Sequence, residues 1–393
     1  MTKIIKQFIY NAIATAMPTI VLQLIILPLV AKKMDGNTYG LVLTIVAAVT
    51  MIAAGIGNVL NNVHMLSDGE YKKKEITGDF GIILTVCSIG VSIITLGISF
   101  YYGAENYVLN LCLAVCMLIK EYYIVRFWID LDYLGILKCN IWCVIGYIVG
   151  LSVFWLEGDW QYIYIIGNVC SIIYIIKKYG VPRNLFSSTV LLATTAKKCG
   201  ALSVSTILTR ALQYVDRLLL YPLLGGEEVS VYYVSTLIGK TVSMALGPIN
   251  SFLLSQLAKK NKMEKKVFGQ MLFLTAIVGI ISYGVCVLVS RPVLYIMYPQ
   301  WVDEAMKYIY ITSGTAVISA MSLVISPVVL RFCNINWQMV VSGVCLVVYA
   351  ISALVLLNWY GLFGFCMGGL LANVVSLVLM ILIYLFTYKE QED

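Results

Sequence analysis

Ser203, Thr206, Arg210, Gln213 and Arg217 recur at alternating steps of three and four. On an α-helix that spacing puts all five on one narrow face. Their neighbours Ala211, Leu212, Val215, Leu218, Leu219 and Leu220 belong in hydrocarbon. An arginine at the centre of a membrane helix costs roughly 2.5–3.5 kcal/mol on insertion scales, so two on one face call for water, a partner or a ligand. The chemistry such a face offers is the capture of an anion.

A second seam follows after a tight turn: Thr236, Lys240, Ser243, Gly247 and Asn250, at steps of four and three. Short connections make consecutive helices neighbours. If both seams face one lumen, Arg210, Arg217 and Lys240 form a cationic patch flanked by Gln213 and Asn250. The planar guanidinium donates bidentate bonds to phosphate oxygens, and lysine adds a point charge. The competing account is internal pairing. Asp216 sits about 100° round the helix from Arg217, where it could neutralise an arginine across helices, face a neighbour, or act as an ion-coupling carboxylate.

Asn11, Thr15, Thr19 and Gln23 form a slowly drifting polar stripe on the first apolar run, and Pro18 removes one helix hydrogen bond within it. A proline-interrupted span with a polar face marks either a site or interhelical hydrogen bonding. Asn58, Asn61, Asn62 and His64 crowd the end of the second run. Amides like these suit sugars, but capping near a loop is the plainer reading, and His64 reads as a solvated membrane-edge residue. Lys120, Glu121 and Arg126 form a charge cluster best explained by a local ion pair. Gly239-Lys240-Thr241 looks like the tail of a phosphate-binding loop, yet position 234 is Val and the segment is apolar, so no nucleotide is expected there. No cysteine–histidine set has metal-ligand spacing, and the eleven cysteines read as small apolar residues. No cofactor or metal is expected.

The elements that must position these residues are membrane helices. Of 393 residues 61% are hydrophobic and 12% charged, and mean hydropathy is +0.90. Soluble domains carry about 25% charged residues. The net charge of +7 is spread over short loops, which argues against nucleic acid as a partner. The first apolar run is too long for a cleavable leader. Twelve spans are expected, at about 8–31, 40–65, 80–103, 106–128, 137–156, 161–177, 199–222, 230–256, 268–290, 305–330, 338–358 and 361–386. Lys72–Lys74, Lys177, Lys178, Lys197, Lys198 and Lys259–Lys266 collect on one side, against Lys32, Lys33, Arg291 and Lys307 on the other. That asymmetry puts both termini in the cytoplasm. Trp155, Trp160, Trp301 and Trp359 lie at span ends and read as an aromatic belt.

The halves look alike. Gly55-x-x-Asn58 matches Gly247-x-x-Asn250, and Lys73-Lys74 matches Lys265-Lys266, each 192 residues apart. A parallel repeat is expected, with six-helix bundles at 1–190 and 191–393.

Several stretches carry a resemblance. They are Leu27-Pro28-Leu29 and Asn37-Thr38-Tyr39-Gly40-Leu41; Asp216-Arg217-Leu218-Leu219-Leu220 with Leu224-Gly225-Gly226-Glu227-Glu228-Val229 and Tyr232; Tyr298-Pro299-Gln300-Trp301-Val302-Asp303-Glu304-Ala305; and Tyr360-Gly361-Leu362-Phe363-Gly364-Phe365. In order and spacing the set resembles the polysaccharide transporter family of the multidrug/oligosaccharidyl-lipid/polysaccharide flippase superfamily, which includes O-antigen and capsule-repeat flippases. The resemblance implies an all-α integral membrane fold of two six-helix bundles around a central cavity that opens alternately to each side. It implies a substrate carried on undecaprenyl pyrophosphate in a bacterial inner membrane, with other polysaccharide-assembly proteins as partners. The Asp216-Arg217 pair matches the family pattern; Arg210 and Lys240 come from the residue reading, as do Gln213, Asn11, Gln23 and Asn250 as substrate contacts. The expected activity is flipping of a lipid-linked oligosaccharide. The rivals are a drug or metabolite exporter, which should place acidic residues in its lumen, a membrane-embedded polysaccharide-assembly enzyme, which should show a large outer loop or an acid/base set, and a scaffold, which would not need a polar interior.

Overall fold

The computed structural model describes residues 14–74, 76, 78–180, 186–245, 265–333 and 336–390. Among the described residues, twelve helices stand where the twelve apolar runs predict them: α1 (Ala14–Ala31), α2 (Gly36–Lys73), α3 (Phe80–Tyr101), α4 (Tyr107–Ile129), α5 (Tyr133–Glu157), α6 (Gln161–Tyr179), α7 (Leu192–Leu224), α8 (Gly226–Ala245), α9 (Lys265–Met297), α10 (Val302–Phe332), α11 (336–360) and α12 (362–390). Among the described residues, eight helical stretches are long and apolar enough to cross a membrane: α1 to α5, α9, α10 and the α11–α12 run. Large apolar side chains such as Leu288 on α9 and Leu156 on α5 are exposed, which hydrocarbon tolerates and water does not. The chain is an all-helical, multi-pass membrane protein. The break between α11 and α12 is Gly361, at φ +58°, a left-handed backbone that glycine adopts without Cβ strain.

The chain divides into two compact units, Met1–Val229 and Ser230–Asp393, and passes from one to the other within α8. In the first unit α5 and α6 pack as a tight hairpin, α4 lies against α6, and α2 packs on both α4 and α7. The α2–α7 pairing runs the length of both helices. At one end Lys198 faces Glu70 at 3.8 Å, and the Tyr71 hydroxyl is 2.9 Å from Thr195 Oγ1. At the other, the Glu227 amide donates to Asn37 Oδ1 at 3.2 Å. Asp35 caps α2 by accepting from the Asn37 and Thr38 amides, and the Thr38 hydroxyl holds its carboxyl below the usual carboxylate value.

Two devices shape the first unit. Pro18 has no N–H to give Ala14, and the freed Ala14 carbonyl instead accepts from Asn140 Nδ2 on α5 at 2.7 Å. Asp79, 0% exposed, gathers the segment before α7 onto the start of α3. Its carboxylate accepts from the Tyr71 hydroxyl at 2.7 Å and from the Thr189 amide at 2.7 Å, and the Thr189 hydroxyl completes the set. Its own amide donates to the Ser187 carbonyl at 2.9 Å.

In the second unit α10 packs on both α9 and the α11–α12 run. Its core joins Phe268, Ile325, Val328, Val329, Val341, Met380, Ile383 and Tyr384. Trp301 departs from the belt expectation. It is 5% exposed and lies against Tyr298, because the Pro299–Trp301 turn folds the ring back onto the helix ends. Trp155 and Trp359 are exposed as expected.

Candidate functional site

α7 carries the cationic seam, and its packing sorts the five residues. Arg217 is 9% exposed and Asp216 7%. Arg210 is half-buried, as are Ser203 and Thr206, while Gln213 is exposed. Asp216 turns one oxygen to its own helix, where Oδ1 accepts from the Arg217 amide at 2.9 Å. Arg210 lies across α2 at Gly55: a Cβ there would be 3.4 Å from Arg210 Cδ. The absent side chain leaves the room the arginine stem occupies.

The backbone beneath Arg210 is unusual. Thr50–Ala54 forms a single π turn directly before Gly55 and packs against α4 and α7. α1 carries another, Leu22–Ile26, which holds the half-buried Gln23. Such π turns are rare and cluster at functional sites, because an extra residue in the turn re-aims the side chains.

The C-terminal part of α7 is held by a side chain that sequence reading passed over. Pro222 lies inside the helix and cannot bond the Leu218 carbonyl one turn back. The Tyr102 hydroxyl donates to that carbonyl at 2.9 Å, and its ring meets Tyr221 edge-on at 5.5 Å. Pro222 was the available signal; the tyrosine that answers it lies 116 residues away.

On α8, in the second unit, Lys240 is half-buried with Nζ 5.6 Å from the Tyr232 ring centroid. That ring meets Phe365 edge-on at 5.5 Å, and Phe365 meets Tyr349 at 5.8 Å. The cation therefore stands at the end of an aromatic row, where a ring face attracts it. α8 is braced on α10 by Thr312 Oγ1 donating to the Ser235 carbonyl at 2.8 Å and Ser243 Oγ donating to the Ala316 carbonyl at 3.2 Å. Asn11 and Asn250 lie outside the described residues.

Several other polar side chains of the first unit find partners within it. Lys120, buried, pairs with Glu121 at 2.9 Å, the local ion pair expected there. Asn61 Nδ2 donates to the Glu121 carbonyl at 3.2 Å, and Asn62 to Asn58 Oδ1 at 2.9 Å. His64 is not simply solvated: it stacks on Phe80 at 4.1 Å, with Nδ1 3.0 Å from the Tyr122 hydroxyl. The Asp79 cluster was also missed, since its members are dispersed in sequence and no local spacing announces them.

No protein-family model matches the chain, and no curated protein matches its sequence. Its fold is shared with solved transporters. The lipid II flippase MurJ, in an inward closed conformation, aligns with TM-score 0.71 and 12% identity over 95% of this chain and 87% of that one. An outward-facing multidrug-resistance MATE transporter of the MOP superfamily gives 0.65 and 14% over 98% and 95%. The Vibrio cholerae MATE transporter VcmN, in the bent form, gives 0.59 and 13% over 99% and 98%. The chain is structurally similar to MATE and MurJ transporters of the MOP superfamily.

Proposed function

We propose that this protein is a flippase that moves an undecaprenyl-pyrophosphate-linked oligosaccharide, an O-antigen or capsule repeat unit, across a bacterial cytoplasmic membrane by alternating access. The observation that carries this reading is the placement of two arginines on α7: Arg217 buried, and Arg210 laid over Gly55 directly after a π turn. The planar guanidinium suits a pyrophosphate, whose oxygens accept bidentate bonds. The fold likeness to a protein named as a lipid II flippase supports a lipid-borne cargo.

The pyrophosphate is held by Arg210, Arg217 and Lys240, with Gln213, Asn11, Gln23 and Asn250 meeting the head group. The prenyl tail stays in lipid. The halves 1–190 and 191–393 rock to expose the head outside, and Asp216 is the carboxylate that couples an ion. Both termini lie in the cytoplasm, so reporter fusions at Gly226 and Lys262 should read outside and inside; the same side for both overturns this topology.

A second reading, export of a drug or metabolite, draws support from the likeness to MATE transporters. In the first unit, however, the Glu121 and Asp79 carboxylates are engaged by Lys120 and by Tyr71 and Thr189, whereas a cation exporter wants acidic groups open to cargo.

The test uses cells from which the protein is removed. Lipid-linked repeat units should accumulate on the inner leaflet and surface glycan should vanish. Wild type should restore display and the Arg210→Ala/Arg217→Ala double variant should not. Full display from the double variant, or altered drug tolerance with intact display, counts against the flippase.

A further inference from the structure

The α5–α6 hairpin opens a groove on its exposed face. Toward Glu157 the two helices are drawn together: a Cβ on Gly146 would lie 2.6 Å from the Gly167 Cα, and one on Gly150 2.5 Å from the Ile163 Cα. Toward the lysine-bearing end, Ser171 Oγ donates to the Cys139 carbonyl at 3.3 Å between two fully buried residues, while Trp142 and Tyr174 line the exposed side. The result is a groove of about 470 Å³ lined by Trp142, Cys170, Ile173, Tyr174, Lys177 and Lys178. That volume is within the ~300–1,000 Å³ typical of small-ligand sites. Trp142 and Ile173 are each 47% exposed, large apolar side chains that hydrocarbon tolerates and water does not.

The lining is amphipathic in a particular order. Cys170, Ile173, Tyr174 and Lys177 follow one another at i, i+3, i+4 and i+7, a single stripe on α6. The stripe runs from apolar to cationic and ends at the helix terminus. Among the described residues no ion pair or hydrogen bond engages the Lys177 ammonium. Lys178 is fixed instead: it pairs with Asp132, and its Nζ sits 5.2 Å from the Phe127 ring centroid. A free cation, a braced cation and an apolar trough facing lipid match one ligand shape, an anionic head joined to an acyl chain.

We propose that this groove binds an anionic phospholipid. The phosphodiester meets Lys177, with Lys178 beside it. One acyl chain lies along Cys170 and Ile173, with the Trp142 ring as the opposite wall. The anionic head is selected by the lysines, at about fivefold in affinity per lysine near a membrane surface; the chain is selected by the trough. This site stands apart from α7 and does not depend on the transported cargo.

The experiment is native mass spectrometry of the full-length protein in detergent, titrated with phosphatidylglycerol or phosphatidylcholine. Wild type should retain phosphatidylglycerol at least fivefold more readily. Lys177→Glu, a surface change that leaves the Lys178–Asp132 pair alone, should erase the preference. Ile173→Trp, which fills the trough, should weaken both lipids. Soluble glycerol phosphate should fail to displace phosphatidylglycerol. Equal retention of the two lipids, an undiminished preference in Lys177→Glu, or displacement by glycerol phosphate alone overturns the proposal. So does a protein chain that stays on the purified complex and blocks added lipid, since it would place a partner helix in the groove.

Discussion

Gly40 and Gly226 meet backbone to backbone: a Cβ built on Gly40 would fall on the Gly226 carbonyl and lie 2.6 Å from its Cα. The contact joins the start of α2 to the turn between α7 and α8. It brings together two of the stretches that carry the family resemblance, Asn37–Leu41 and Leu224–Val229, from positions nearly half a chain apart. Only glycine at both places lets the two backbones come this near.

Gly40→Ala should therefore destabilise the protein by overpacking, on the order of 3 kcal/mol, since the obstacle is backbone and cannot rotate away. Gly69→Ala, on the same helix with open space around it, should be neutral or slightly stabilising. Thermal unfolding in detergent checks the pair; equal behaviour would show that the α2–α8 contact is not tight.

Tyr102→Phe should cost about 1–3 kcal/mol, because it strands the Leu218 carbonyl that Pro222 leaves without its helical partner. In a Pro222→Ala background, where the helix can bond that carbonyl itself, the same substitution should cost much less. A double-mutant cycle reads the difference directly. Additive effects would mean that the hydroxyl is not answering the proline.

Asp79→Ala should unfold the protein at a markedly lower temperature. It removes an acceptor of three hydrogen bonds, each worth roughly 1.5–3 kcal/mol when the acceptor is charged, and leaves the Tyr71 and Thr189 donors short of a partner. Asp79→Asn should be milder, because one carbonyl oxygen remains to accept part of the set. Protease cleavage between α6 and α7 should rise in the alanine variant, since Asp79 holds Ser187 and Thr189 in place.

If Arg210 and Arg217 grip a pyrophosphate, charge and geometry should separate. Arg210→Ala or Arg217→Ala should abolish glycan display at normal protein levels. Arg→Lys should rescue in part, because an ammonium cannot form the bidentate fork. Loss of one charge-assisted bond is worth roughly 1.5–3 kcal/mol, on the order of ten- to a hundredfold in affinity. Asp216→Asn should match the arginine variants if its carboxylate couples an ion, and fall well short of them if it only packs.

The sequence by itself determined the membrane setting, the twelve helices and a break between the last two near 358–361. Hydropathy and helical periodicity are local properties, and a bilayer leaves a long apolar run no other way to bond its backbone. It also singled out the arginine seam, since a cation in hydrocarbon stands out without any structure. It announced that Pro18 would orphan a carbonyl, and Pro222 carried the same signal unread. What answers them, Asn140 and Tyr102, was decided only by tertiary structure. So were the burial of Trp301, the stacking of His64 and the closure of Asp79 on Thr189 and Tyr71. Each depends on which helix lies beside which, and those choices are made by close backbone contacts such as Gly40 on Gly226. A glycine pattern in one dimension does not say which partner will come near enough to use it.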